Sequence, residues 1–374
     1  MPSAVLNAFC EAARESVPLE QLQAAASKRI AEVTGTEAGL VTAGSAAAST
    51  LGAAAILTGN NLARMEQLPH TENFPHEFVV AREHRSGYDH AVRAAGVRFV
   101  EVGFNEIVSN AGVRRTEAWE YEAAFGPNTA GVLYVYAPGS QPPLPEVIER
   151  AHRHNLPVLV DAAGELPPRS NLSALAVTGA DLVTFSGGKS IRGPQSTGIL
   201  CGRGDLVAAA AIQMLDMDEH WGLWDPPAEL VDKTKFDGLP RHGIGRALKV
   251  SKEEIIALLT ALNLFVSGAY DNQLDEFREY LKTIATELES SPATCNIVDK
   301  GDGESPPTLI IQIDEAAAGR TAFEICRSLR NGSPPIYVGH GRLAEGQLVV
   351  QPLNLSQSHA ETLAHRVREE LQVG

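Results

Sequence analysis

The chain has 374 residues, 44% of them hydrophobic, which is more than one compact core takes up and predicts two domains. Its formal net charge of −15 argues against a nucleic-acid partner, which would need clustered Lys and Arg to displace counterions. The cysteines Cys10, Cys201, Cys295 and Cys326 lack C-x-x-C spacing, so no metal centre is expected and a reduced, cytoplasmic setting is.

From the N-terminus, no basic segment followed by an apolar one marks a secretory signal. Leu19, Leu22, Ala25 and Ile30 recur at helical spacing, predicting a helix over 18–33 that breaks at Gly35. This N-terminal helical segment, residues 1–34, is expected to pack with a small domain. Residues 38–60 read as a strand, a Gly44-Ser45 turn and a helix of small residues, and the apolar run 43–57 is too short and interrupted to span a membrane. A strand running into Gly44-Ser45-Ala46 at a helix start offers free N–H groups, a hydroxyl and the positive helix end, an arrangement suited to a phosphate. The same turn also serves as a close-packing device.

Strands are predicted over 77–80, 97–102, 129–136, 157–160, 182–185 and 196–201, with helices over 87–95 and 144–154 between them. This alternation predicts an α/β fold with a mostly parallel sheet. The Pro/Gly-rich stretch 221–245 interrupts the pattern, placing a large domain at 35–240 and a small α+β domain at 241–374. In the latter, helices are expected over 251–264, opened by a Ser251/Glu254 capping box, and over 272–288, 318–330 and 358–371. Strands are expected over 308–313, 335–338 and 347–350.

Two residues carry the chemistry. Lys189 emerges from a Gly-rich loop after a strand, and Asp161 ends another strand 28 positions earlier. An amine that can hold an aldehyde, and a carboxylate that keeps a pyridine nitrogen protonated, are what pyridoxal phosphate (PLP) requires. Strand ends of one α/β sheet would bring them together. Taken singly, each is more often a loop lysine or a helix-capping aspartate.

The stretch Phe185-Ser-Gly-Gly-Lys-Ser-Ile-Arg-Gly-Pro-Gln-Ser-Thr-Gly198 resembles the lysine segment of the fold-type-I PLP enzymes related to selenocysteine synthase. Residues 84–96, 161–168 and 243–254 resemble the D-glucosaminate ammonia-lyase (dehydratase) branch of that group. The resemblance implies the fold-type-I PLP-dependent transferase fold, a mostly parallel seven-stranded sheet with a small α+β domain, and a homodimer or a multiple of dimers. It implies PLP on Lys189, Asp161 at the pyridine nitrogen, His84 stacked on the ring, and phosphate held by Gly44, Ser45, Ala46 and Ser186. The implied reaction takes the α-proton and β-hydroxyl from a small hydroxy amino acid or amino-sugar acid, releasing a 2-oxo acid and ammonia. Arg246 and Arg342 are candidate forks for the substrate carboxylate, with Tyr88 and His90 as candidate acids near Cβ. A racemase or epimerase, a carbon–sulfur lyase and a noncatalytic PLP-binding protein stay open. Gly188 departs from the bulkier residue many enzymes of this fold carry before the lysine, and is expected to leave room in the site.

Overall fold

The structure, a computed structural model, describes residues 1–104 and 114–372. The chain forms two compact units, Met1–Ser267 and Gly268–Gly374.

The first unit begins with α1 (Ser3–Ala12) and α2 (Leu19–Thr34), the latter stopped by Gly35 in the left-handed conformation at φ 72°. β1 (Ala38–Thr42) is wholly buried and leads into α3 (Ser45–Thr58). Small residues let α3 lie flat on the sheet: a Cβ added at Gly52 would come within 3.1–3.4 Å of Leu159, Leu200 and Leu182. There follow α4 (Leu62–Gln67), β2 (Glu77–Ala81), α5 (Asp89–Ala94), β3 (Arg98–Val102), α6 (Ala118–Ala123) and β4 (Thr129–Val135). Next come α7 (Leu144–Arg153), β5 (Val158–Asp161), α8 (Asn171–Val177), β6 (Leu182–Ser186), β7 (Gly198–Gly202), α9 (Gly204–Met214) and α10 (Lys252–Val266).

The described strands form a seven-stranded sheet in the order β1-β7-β6-β5-β4-β2-β3. Strands β2 to β6 run parallel, and β7 runs antiparallel to both β6 and β1. β5 and β6, buried on both faces, read as nearly unbroken apolar runs. The carboxyl ends of β1, β2, β4, β5 and β6 and the amino end of β7 therefore share one edge. The register brings Thr42 and Ser186 opposite Gly198, and Thr184 and Val135 opposite Asp161.

The second unit holds α11 (Leu274–Glu287), β8 (Ala293–Val298), β9 (Thr308–Ile313), α12 (Glu315–Ala318), α13 (Ala322–Asn331), β10 (Gln347–Val350) and α14 (Gln357–Gln372). Its antiparallel sheet, ordered β10-β9-β8, packs Leu309, Ile311 and Leu348 against Leu281, Ile284, Ile325, Leu329 and Val367.

Several expectations are corrected here. The units divide at 267/268 rather than 240/241, because the Pro/Gly-rich stretch buries Trp224, Val231 and Phe236 within the first unit. α1 and α2 lie against α10, which falls inside the 241–374 span expected for the small domain but belongs, like residues 1–34, to the first unit. Residues 335–338 form no strand: Pro335 lacks an N–H for a ladder, and only Gly339 bridges to Val349. The third strand is β8, which sequence reading missed. No single helix among the described residues is long and apolar enough to cross a membrane.

Candidate active site

Lys189 projects from the β6–β7 connection, which its own backbone holds tightly. Gly187 N donates to Thr197 O at 2.8 Å, Gly193 N to Gly187 O at 2.9 Å, and Arg192 N to Lys189 O at 2.9 Å. Gly188 leaves no spare room, contrary to expectation. A Cβ there would sit 2.6 Å from both Cα and O of Gln195, so the site before the lysine is filled by backbone. The Lys189 amine has no hydrogen-bond or ion-pair partner among the described residues. It lies over the loop after β5, 3.6 Å from where a Cβ on Gly164 would stand.

At the end of β5, Asp161 Oδ1 accepts from Ala163 N at 3.0 Å and from Thr184 Oγ1 at 3.4 Å. Oδ2 has no partner among the described residues. Three strands away, after β1, the Gly44-Ser45 turn opens α3. Gly44 is at φ 94° with nothing within 4 Å of the place a Cβ would take, and the first-turn N–H groups of α3 have no acceptor within the helix. Gly198 packs its Cα face directly on Gly44 and Ser45, where any side chain would overlap them, and its strand partner is Ser186. Lysine loop and turn are thus joined through β7, and the aspartate through β6.

His84 ends a short 3-10 turn after β2 and is only 6% exposed. Its ring meets Tyr134 edge-on, with centroids 4.5 Å apart. Nδ1 lies 3.4 Å from Tyr121 Oη, and Nε2 is buried without a partner. Burial pushes the imidazole down to about 4, so the ring is neutral at neutral pH. Tyr121 and Tyr134, which sequence reading passed over, carried no local motif; only their strand and helix positions bring them to His84.

Tyr88 is 72% exposed, and His90, on α5, is exposed with Nδ1 bonded to Arg93 at 3.1 Å. Arg246 donates to Asp216 at 2.8 Å within an exposed group that includes Asp218 and His242, an ion-pair cluster rather than a free fork. Arg342 belongs to the second unit, where it is exposed and reaches Gln347 at 3.4 Å.

The aminotransferase class-V family matches residues 76–228, which include His84, Asp161, Ser186 and Lys189. The chain is 32% identical to the 5'-C-glycyluridine monooxygenase-decarboxylase of a Streptomyces species, over 98% of this chain and 84% of that one. It is 24% identical to the D-glucosaminate-6-phosphate ammonia lyase of Salmonella typhimurium, over 98% and 89%, and a solved structure of a D-glucosaminate-6-phosphate ammonia-lyase shares its fold at a TM-score of 0.79, with 23% identity over 100% of this chain and 91% of that one. The L-seryl-tRNA(Sec) selenium transferase of Desulfovibrio desulfuricans is 26% identical over 69% of this chain and 55% of its own.

The residues present fit PLP: an amine and a carboxylate oxygen without partners among the described residues, an open helix-start turn, and a buried imidazole nitrogen likewise without a partner. The chain belongs to the PLP-dependent enzymes of fold type I related to selenocysteine synthase.

Proposed function

We propose that the protein removes the α-proton and β-hydroxyl of a small amino acid of the amino-sugar-acid kind, releasing a 2-oxo acid and ammonia. The observation that supports this most is the unpartnered Lys189 amine beside Gly164, on the sheet edge that also carries Asp161. PLP, when bound, supplies a sink for the electron pair left on Cα. In this reading Gly44, Ser45, Ala46 and Ser186 hold its phosphate, Asp161 Oδ2 accepts the pyridine N–H, and His84 packs on the ring.

Lys189 takes the proton from Cα and, holding it as an ammonium, hands it to the oxygen leaving Cβ, which departs as water. The double role is assigned to Lys189 because Tyr88 stands in solvent and neutral His84 is a poor acid. The substrate carboxylate is assigned to an arginine fork; Arg246 and Arg342 are the two proposed, and Arg246 would first have to leave Asp216.

A second reading is favoured by the 32% identity to a monooxygenase-decarboxylase: loss of the carboxylate with uptake of O2. One experiment separates the two. Hydroxy amino acids, amino-sugar acids and simple amino acids are incubated in deuterated water, and ammonia, 2-oxo acid, CO2 and O2 are followed. Ammonia and 2-oxo acid without O2 uptake support the lyase. CO2 release matched by O2 consumption supports the decarboxylase. Exchange and racemisation of alanine or serine with neither product sinks both readings.

A further inference from the structure

We propose that Tyr121 is a positioning residue that holds His84 in the tautomer protonated at Nε2, so that the ring offers a fixed N–H to an oxygen of the bound cofactor or substrate. This rests on the reading that His84 faces the cofactor. The argument starts from hydrogens. Tyr121 is fully buried, and its phenol oxygen already accepts from Ala81 N at 3.0 Å. Its own hydrogen needs an acceptor, and His84 Nδ1 at 3.4 Å is the one within reach among the described residues. Were Nδ1 to carry the proton instead, the phenol hydrogen would be buried without a partner, the costlier arrangement.

Nδ1 is therefore the acceptor and the ring proton sits on Nε2. Tyr134 holds the ring from the side: its own hydroxyl donates to Pro142 O at 2.8 Å, so it contributes shape and not a competing hydrogen bond. Burial also keeps the ring from gaining a second proton. What is left is a single N–H, buried and with no protein acceptor at hydrogen-bonding geometry among the described residues, although the Gln141 carbonyl stands near the ring. Buried donors of that kind are satisfied by something, and here an oxygen of a bound ligand is the candidate. A side chain that only stacked would have no need of a fixed tautomer.

The test is nitrogen NMR of the histidine rings, with the His84 signals assigned by their loss in His84→Asn. In cofactor-free protein we expect Nδ1 to be unprotonated and Nε2 protonated, and Tyr121→Phe to give a mixture of tautomers. A ring protonated at Nδ1 in the parent protein, or an unchanged tautomer in Tyr121→Phe, overturns the proposal. The parent-protein spectrum decides this even if the variant does not fold. Adding PLP should shift the Nε2 signal; a shift only when D-serine is also added makes the acceptor a substrate oxygen, and no shift with either overturns the donor role. Tyr121→Phe should lower kcat about tenfold with KM little changed, the usual worth of one hydrogen bond. His84→Gln, whose amide N–H can stand near the Nε2 position, should keep more activity than His84→Asn. A visible PLP band identical in all His84 variants would count against His84 facing the cofactor, while leaving the tautomer result to stand by itself.

Discussion

At the scale of single residues, each functional side chain is defined by what it does not touch. The Lys189 amine has no partner among the described residues, so its removal should cost the fold little and the chemistry much. Lys189→Ala protein should lose the yellow colour and borohydride-fixed PLP of the parent, and turnover should fall by about 10²–10⁴-fold or more, the range for a lost general base. Reducible, covalently held PLP in that variant would refute the assignment. Asp161→Asn should still bind PLP, because the amide fills the same space, yet lose roughly 10²–10³-fold in kcat, since a neutral amide does not hold the pyridinium proton. Unchanged kcat would remove Asp161 from that role. His84 gives a pH signature. Its folded value of about 4 lies below the 6.5 of a free histidine. Between those values the unfolded chain binds a proton that the folded one refuses, so stability present above pH 6.5 drains away as the pH falls toward 4. The loss is on the order of 3 kcal/mol at most. Urea unfolding of cofactor-free protein at pH 7 and pH 5 should show the drop, and His84→Gln should flatten it. Equal pH dependence in both proteins would contradict the burial argument.

At the scale of elements, the β6–β7 connection is where close packing becomes a site. Gly188→Ala sets a Cβ against the backbone of Gln195, and Gly198→Ala sets one against Gly44 and Ser45. Each should destabilise by about 1–3 kcal/mol, read in thermal unfolding. Only Gly198→Ala presses on the phosphate turn, so PLP titration should show a fall in affinity of about tenfold or more for that variant. Wild-type affinity in Gly198→Ala would mean that the turn is not where the phosphate sits. These elements also show what a sequence discloses. Central strands β4 to β6 announce themselves as apolar runs, and β9 was placed to the residue. β8 was missed because Thr294, Asn296 and Val298 face solvent and dilute its apolar signal. The lysine loop and Asp161 were legible as strand ends, since sheet geometry alone brings them together. Tyr121 was not, because its importance comes from a hydrogen bond across 37 positions that no local pattern encodes. Gly188 was misjudged for a related reason: a missing side chain reads as space in a sequence, and only the path of Gln195 shows the space is taken.

For the whole molecule, the exposed aromatic and apolar side chains Phe104, Trp119, Trp221 and Leu223 of the first unit fit our expectation that the protein assembles as a homodimer or a multiple of dimers. Light scattering at micromolar concentration should give at least twice the 39.9 kDa chain mass, and a fully active monomer would sink the idea. The sheet order carries a further consequence, one of timing. β1 is the first strand of the chain to be made, yet within the described sheet its only neighbour is β7, the last. At roughly 5–20 residues per second, the ribosome takes on the order of 10–30 s to deliver the partner that β1 awaits. Through that interval a five-residue apolar ribbon, Ala38–Thr42, has nothing to pair with, and the turn beyond it cannot be backed by Gly198. A nascent chain stalled before Gly198 would hold Asp161 but neither the lysine's far support nor a finished phosphate turn. On the proposed site, cofactor capture would mark completion of the first unit's sheet, and chains interrupted earlier would be left to chaperones and proteases with an aggregation-prone strand exposed.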